Sequence, residues 1–176
     1  MLTGTERIIV LDTSAFIAGF EPLSVKSVQY SVPEVRNELI ANSLPWTRFN
    51  TAVENGKLKV KAPRAEYAER VRISSKAVGD LLFLSEADKQ ILALALELKD
   101  EGYRSQIVTD DYSIQNVANQ LDIEFVSLMT FGIRYRFQWT LYCPACHHKY
   151  AADYQPKHCQ ICGTELKRKP LGKTPV

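Results

Sequence analysis

All four cysteines of this 176-residue chain fall within its last 34 residues, as Cys143-Pro-Ala-Cys146 and Cys159-Gln-Ile-Cys162 with twelve residues between the pairs. Each Cys-x-x-Cys turn aims two thiolates at one centre, and twelve residues suffice for a β-hairpin that brings the pairs together. Gly163, directly after the second pair, permits the tight backbone such a turn needs. Four thiolates with no open position suit zinc, so the spacing predicts a structural Zn²⁺ site held by Cys143, Cys146, Cys159 and Cys162. So short a segment cannot bury a core. Metal binding, about 10–16 kcal/mol in zinc-finger peptides, would be its folding energy. Two disulfides would require an oxidising compartment to which nothing else points, and a thioredoxin-like role for either pair lacks the βαβ context. An iron centre in the same four sulfurs stays open. His147, His148 and His158 are expected beside the ligand set, not in it.

The cysteine-free remainder reads as α/β. Short apolar, β-branched runs at Ile8–Leu11, Val28–Tyr30, Lys57–Lys61, Gln106–Thr109 and Ile123–Val126 read as strands. Helical patterns begin after Ser14 and at Pro33, and cover 64–78, 85–98 and 112–121. The run Ile91–Leu96 is apolar nearly all round, so its helix belongs inside the fold. Alternation of this kind implies a parallel sheet with helices on both faces. No apolar run approaches the roughly 20 residues that span a bilayer, so no membrane partner and a cytoplasmic location are expected.

Acidic residues gather where strands end. Asp12 closes the first strand, Asp110 and Asp111 close a later one, and Asp88 sits in the first turn of the buried helix. In open parallel sheets, ligands bind outside the carboxyl ends of the strands. Carboxylates crowded there repel one another unless a cation joins them, and hard oxygen ligands suit Mg²⁺ or Mn²⁺ for phosphodiester hydrolysis. Each residue also has a plainer use: Asp12 and one of Asp110 and Asp111 as helix N-caps, Asp88 in a capping box with Ser85. Glu38 reads as an acid on a solvated helix face.

Four segments, taken in order, carry a family resemblance: Leu11-Asp12-Thr13-Ser14-Ala15-Phe16, Val32-Pro33-Glu34-Val35 with Glu38-Leu39, Leu84-Ser85-Glu86-Ala87-Asp88, and Val108-Thr109-Asp110-Asp111. They resemble the acidic motifs of PIN-domain ribonucleases. With the four-cysteine ribbon, the chain is similar to the Nin-one-binding family of ribosome-maturation endonucleases, in a compact archaeal form. The resemblance implies a 1–130 PIN nuclease domain, a 131–140 connector, a 141–166 zinc ribbon and a 167–176 basic tail. It further implies metal-dependent cleavage of single-stranded precursor RNA at the 3′ end of small-subunit ribosomal RNA, within a pre-ribosomal particle. Asp12, Glu38, Asp88 and one of Asp110 and Asp111 become expected catalytic residues. Glu38 gains this role only through the resemblance.

Charge fits an RNA partner. From Leu128 onward there are eight basic and two acidic residues, a net of +6, which leaves −4 on the rest of a chain whose total is +2. Lys149, Lys157, Lys167, Arg168 and Lys169 are the candidate RNA-binding residues, with nearby aromatics available to stack on bases. Removal of residues 141–176 is expected to weaken RNA binding more than it damages the nuclease fold. Two other readings are a toxin-type PIN ribonuclease and a non-catalytic RNA-binding scaffold for ribosome assembly. The stretch Arg64–Leu82 reads as either a basic helix along the RNA path or an ordinary surface helix.

Overall fold

The structure, a computed structural model, describes residues 6–129 and 135–175. Five parallel strands, β1 (Arg7–Leu11), β2 (Val28–Ser31), β3 (Leu58–Val60), β4 (Arg104–Val108) and β5 (Glu124–Val126), form one sheet in the order β3-β2-β1-β4-β5. Strand order reverses at β1, which pairs with β2 on one side and β4 on the other, Leu11 lying beside Val108. The carboxyl ends of β1 and β4 therefore meet at the switch point where such sheets place their ligands. The expected α/β class, a PIN-like parallel sheet flanked by helices with a small β unit after it, is what the chain forms.

Six helices flank the sheet among the described residues: α1 (Thr13–Ile17), α2 (Pro33–Glu38), α3 (Leu44–Glu54), α4 (Ala65–Val78), α5 (Glu86–Asp100) and α6 (Tyr112–Gln120). The apolar run of α5 is buried on every side, from Ile91 through Leu98. Helix α3 has no counterpart in the sequence reading, although its start carries the usual signals. The Ser43 hydroxyl accepts from Trp46 N, and Pro45 occupies the first turn, where a missing N–H costs nothing. Helix α2 stops at Glu38 because Leu39 turns extended and carries its side chain into the core.

The second sheet is antiparallel, in the order β7-β6-β8, from β6 (Tyr135–Tyr142), β7 (Lys149–Tyr150) and β8 (Lys167–Pro175). Of the expected connector 131–140, residues 131–134 lie outside the described residues, and the remainder is strand β6. The basic segment 167–176 enters the sheet as β8 through residue 175. Its two prolines and glycine argue against a strand by pattern. Pro170 is tolerated because β8 is an edge strand and its pairing shifts register between Gln138 and Trp139.

The two sheets meet through α4, α6 and the loop that follows α4. Gly79, left-handed at φ 81°, ends α4, and a Cβ there would come within 2.5 Å of the Trp139 carbonyl oxygen, so only glycine lets β6 approach. Asn116 on α6 bonds both backbone groups of Phe137, accepting from its N at 2.7 Å and donating to its O at 2.9 Å. Asn116 also donates to Asp80, which is 1% exposed and takes Arg168 of β8 at 2.9 Å. The Arg168 guanidinium lies over the rings of Phe83 at 4.0 Å and Trp139 at 4.4 Å. Lys76 of α4 pairs with Asp153 at 2.7 Å.

Candidate active site and thiolate centre

At the switch point the first carboxylate is buried and held from three sides. Asp12 Oδ1 caps α1 by accepting from Thr13 N at 2.6 Å, while Oδ2 accepts from Ser14 Oγ at 2.8 Å and Thr109 Oγ1 at 2.9 Å. The two hydroxyls also reach the neighbouring strand end: Asp110 N donates to Ser14 Oγ at 3.0 Å, and Asp111 N to Thr109 Oγ1 at 3.0 Å. Thr109 is 1% exposed and stands directly before the two aspartates.

Glu38 joins this group by bridging. Its Oε2 accepts from Thr13 Oγ1 at 2.5 Å, and its Oε1 accepts from Ser85 Oγ at 2.9 Å. Ser85 caps α5 in a capping box, in which Asp88 N donates to Ser85 Oγ at 3.1 Å and Ser85 N donates to Asp88 Oδ2 at 2.6 Å. One exposed glutamate thus ties the helix after β1 to the start of α5.

The adjacent aspartates diverge. Asp111 caps α6, its Oδ1 accepting from Ser113 N at 2.6 Å and Ile114 N at 3.4 Å. Asp110 turns toward the exit of β5, where its Oδ1 accepts from Ser127 Oγ, Leu128 N at 3.1 Å and Met129 N at 3.0 Å. It is Asp111 whose charge acts on Asp88.

Electrostatically the edge is under strain. Burial pushes the Asp12 carboxyl up to about 6; the bonds from Ser14 and Thr109 oppose this, and the charge of Asp88 adds to it. Asp88 is also raised, first by burial and then by the charges of Asp111 and Glu38, against the bonds from Ser85. Among the described residues, no lysine or arginine pairs with Asp12, Glu38, Asp88 or Asp111. Asp88 Oδ1 and Asp111 Oδ2 accept no hydrogen bond there either. An all-oxygen cluster of unbalanced negative charge with free lone pairs fits a hard divalent cation. The carboxylates are more widely set than the cysteines. Among the described residues, only the cysteines bring three or more ligand atoms within 4.8 Å of one another.

The thiolate centre lies at the far end of the second sheet. Cys143 Sγ is 3.4 Å from Cys162 Sγ, and Cys146 Sγ is 3.5 Å from Cys159 Sγ. Four sulfurs about 2.3 Å from one ion would stand roughly 3.8 Å apart, so the group fits a tetrahedral metal site. Backbone turns shape it: Cys143 N donates to His148 O, His147 N to Cys143 O, and Cys159 N to Thr164 O. Tyr150 Oη lies 2.9 Å from Cys159 Sγ. His148 stands edge-on to Tyr150, and His158 bridges to Glu165; none of the three histidines joins the sulfur cluster.

The expected RNA-binding residues divide. Lys149, Lys157 and Lys167 are exposed, and Lys169 lies over the Tyr142 ring at 4.8 Å. Arg168 is engaged by Asp80 inside the junction. Within Arg64–Leu82, α4 packs Tyr67, Val71, Ser75 and Val78 inward and carries the junction at its end, so this stretch is a supporting helix.

Residues 9–98 match the PIN domain of ribonuclease. The chain is 38% identical to endoribonuclease Nob1 of Methanocaldococcus jannaschii over 95% of this chain and 80% of that protein. It is 34% identical to endoribonuclease Nob1 of Methanothermobacter thermautotrophicus over 91% of each. It is also 36% identical to ribonuclease VapC1 of Thermoplasma acidophilum over 96% of this chain and 81% of that protein.

Proposed function

The chain belongs to the PIN-domain endoribonucleases of the archaeal Nob1 type, and from that premise we propose that it cleaves single-stranded precursor RNA, maturing the 3′ end of small-subunit ribosomal RNA on the pre-ribosomal particle. The observation that carries the catalytic part is the uncompensated carboxylate edge, with the raised Asp12 at its centre. Mg²⁺ or Mn²⁺ would be held by Asp12, Asp88 and Asp111, with Glu38 orienting the group through Ser85 and Thr13. The cation would supply an activated water and charge stabilisation at the phosphate. The side chains do the rest. Ser14 and Thr109 fix the Asp12 oxygens, and the capping bonds of Asp88 and Asp111 hold one oxygen of each, leaving the other free toward the RNA. Asp110 anchors the exit of β5 and stands outside this set.

Zn²⁺ is the metal we assign to Cys143, Cys146, Cys159 and Cys162, because four thiolates with no open position suit a structural zinc. Residues 1–130 then form the nuclease unit and 141–166 the ribbon. Lys149, Lys157, Lys167 and Lys169 present the positive surface that receives RNA, while Arg168 holds that surface in place.

The relative named ribonuclease VapC1 supports a second reading, a toxin-type PIN ribonuclease. Its alignment covers 96% of this chain, so a ribbon-length C-terminus does not separate the two. The test is cleavage of a single-stranded RNA spanning the 3′ junction of the small-subunit precursor, with Mn²⁺, against an unrelated messenger fragment. Selective cutting of the junction, reduced at least about 100-fold in Asp12→Asn, is expected. Equal cutting of both RNAs supports the toxin-type reading. Junction binding without any cutting supports the scaffold reading. Wild-type rates in Asp12→Asn would refute the carboxylate mechanism.

A further inference from the structure

Between the α4–α5 loop and the ribbon lies a cavity of about 420 Å³, lined by none of the carboxylates of the sheet edge. Its apolar wall comes from Leu82 and Phe83 of the α4–α5 loop and from Leu141 and Leu166 of the ribbon. Tyr154, Gln155, Lys157 and Glu165 complete its lining. Leu82 and Phe83 are 41% and 42% exposed, in the loop that supplies Ser85, the N-cap of α5, two residues later.

Three features say what such a cavity would take. It is largely apolar but carries a donor, Lys157, and an acceptor, Glu165, in its lining, which matches a flat heterocycle with polar edges better than an aliphatic side chain. The Tyr154 hydroxyl is buried without a hydrogen-bond partner among the described residues, although the ring is held firmly by stacking on Tyr150 at 4.4 Å. A buried hydroxyl left without a partner is destabilising, and a ligand acceptor would relieve it. The surrounding segment from Leu128 onward carries +6, and Lys149, Lys157 and Lys167 lie exposed on it, so the ligand arrives on a polyanion.

The cavity's position adds a fourth feature. Phe83 precedes Ser85 by two residues, and two extended residues span at most about 7 Å. Ser85 Oγ donates to Glu38, so the cavity wall and the carboxylate edge are built on the same few residues. A strand whose phosphate lies at the carboxylates would have a neighbouring base within reach of the cavity.

We propose that this cavity is a nucleobase pocket: it takes one unstacked base of the single-stranded RNA between Phe83 and Tyr154 and fixes the strand's register relative to the carboxylates. The pocket rests on the nuclease reading and deepens it, by giving the junction between nuclease and ribbon a part in choosing the bond. Neither the α4–α5 loop nor the ribbon forms the pocket alone. The Arg168–Asp80 pair, with Arg168 over Phe83, holds its two walls together.

The experiment uses the full-length, metal-loaded protein and two probes, a single-stranded RNA hexamer and the same sugar–phosphate hexamer with all bases removed. Base–aromatic stacking is worth about 1–3 kcal/mol per base, so wild type should prefer the complete hexamer by roughly 5- to 150-fold. Leu82→Trp, which fills the cavity from its exposed rim, should bring that preference to within about twofold. Tyr154→Phe, which removes one oxygen, should lower it by about 2- to 12-fold. Thermal unfolding confirms that each variant is folded. Equal affinity of wild type for the two hexamers overturns the pocket, as does a preference that both variants retain in full. Mn²⁺-dependent cleavage of the junction RNA is measured alongside. Cutting with no base preference removes the pocket and leaves the nuclease reading standing, whereas neither binding nor cutting removes both.

Discussion

Replacing Arg168 with methionine tests whether the two sheets are one cooperative structure. Asp80 is 1% exposed and accepts from Arg168 at 2.9 Å and from Asn116. Deleting one partner of a buried pair costs about 3–5 kcal/mol, mostly from the charge left behind. Arg168 is itself 31% exposed, so the lower end, about 3 kcal/mol, is the expected loss. At roughly 2–4 °C per kcal/mol for a chain of this size, the midpoint should fall by about 6–12 °C. The pH dependence identifies the cause. Burial already raises the Asp80 carboxyl, against the lowering by Asn116 and Arg168, and loss of Arg168 raises it further. A raised acid binds its proton more tightly folded than unfolded, so the contribution falls as pH rises through the interval from the unfolded to the folded value. The deficit of Arg168→Met should therefore be full at pH 7.5 and shrink toward pH 4. Asp80→Asn combined with Arg168→Met should recover most of it, because no charge is then left buried. Urea unfolding at both pH values supplies the measurement. A loss under about 0.5 kcal/mol, or one equal at both pH values, would refute the assignment of Asp80 as a buried, paired charge.

Two further outcomes follow from the charged groups and the thiolates. In metal-free protein, Asp12→Asn should be more stable than wild type at pH 7.5 by on the order of 2 kcal/mol. The Asp12 carboxyl stands at about 6, so its ionisation costs stability that is lost between about pH 4 and 6; denaturation at pH 4 should show no such gain, and an equal gain at both pH values would refute it. Cys146→Ser should lower Zn²⁺ content from about one ion per chain and unfold the ribbon while leaving the five-stranded sheet in place, as read by metal analysis and amide exchange; full Zn²⁺ content in that variant would refute the four-thiolate site.

What could be read from the sequence was what is local. The cysteine pairs, the strand ending at Asp12 and the capping box at Ser85 and Asp88 are each contained in a few residues, and each forms where its pattern lies. Glu38 is different. Nothing near it distinguishes it from a solvated glutamate, and its reach to Thr13 and Ser85, 25 and 47 residues away, exists only in the fold. The same holds between Asp110 and Asp111, whose separation depends on which one the β5 exit captures. Strand β8 was obscured because Pro170 and Gly172 break its pattern, and only its partner β6 shows that the edge tolerates them. Arg168 read as a phosphate contact because basic residues flank it, and its buried partner stands 88 residues earlier. For the same reason the nuclease unit has a stake in the ribbon: removing residues 141–176 removes Arg168, the cation that pairs with Asp80.

Capping and metal binding are compatible uses of the same carboxylates. Asp12, Asp88 and Asp111 all bond the backbone at a helix start, where exposed N–H groups favour negative charge. Each N-terminus orients its carboxylate and partly offsets its charge, so α1, α5 and α6 can converge on one edge without a lysine or arginine between them. Asp88 and Asp111 spend one oxygen on the helix and keep the other free. Asp12 spends both, Oδ1 on Thr13 N and Oδ2 on the hydroxyls of Ser14 and Thr109, with Ser14 N standing farther from Oδ2 at 3.4 Å, and it is the most deeply buried of the three. The hydroxyls are the adaptable part. Each can rotate its proton away when a cation takes its place at Oδ2, whereas a backbone N–H cannot. Ser14 and Thr109 therefore hold Asp12 in position without closing it to a metal.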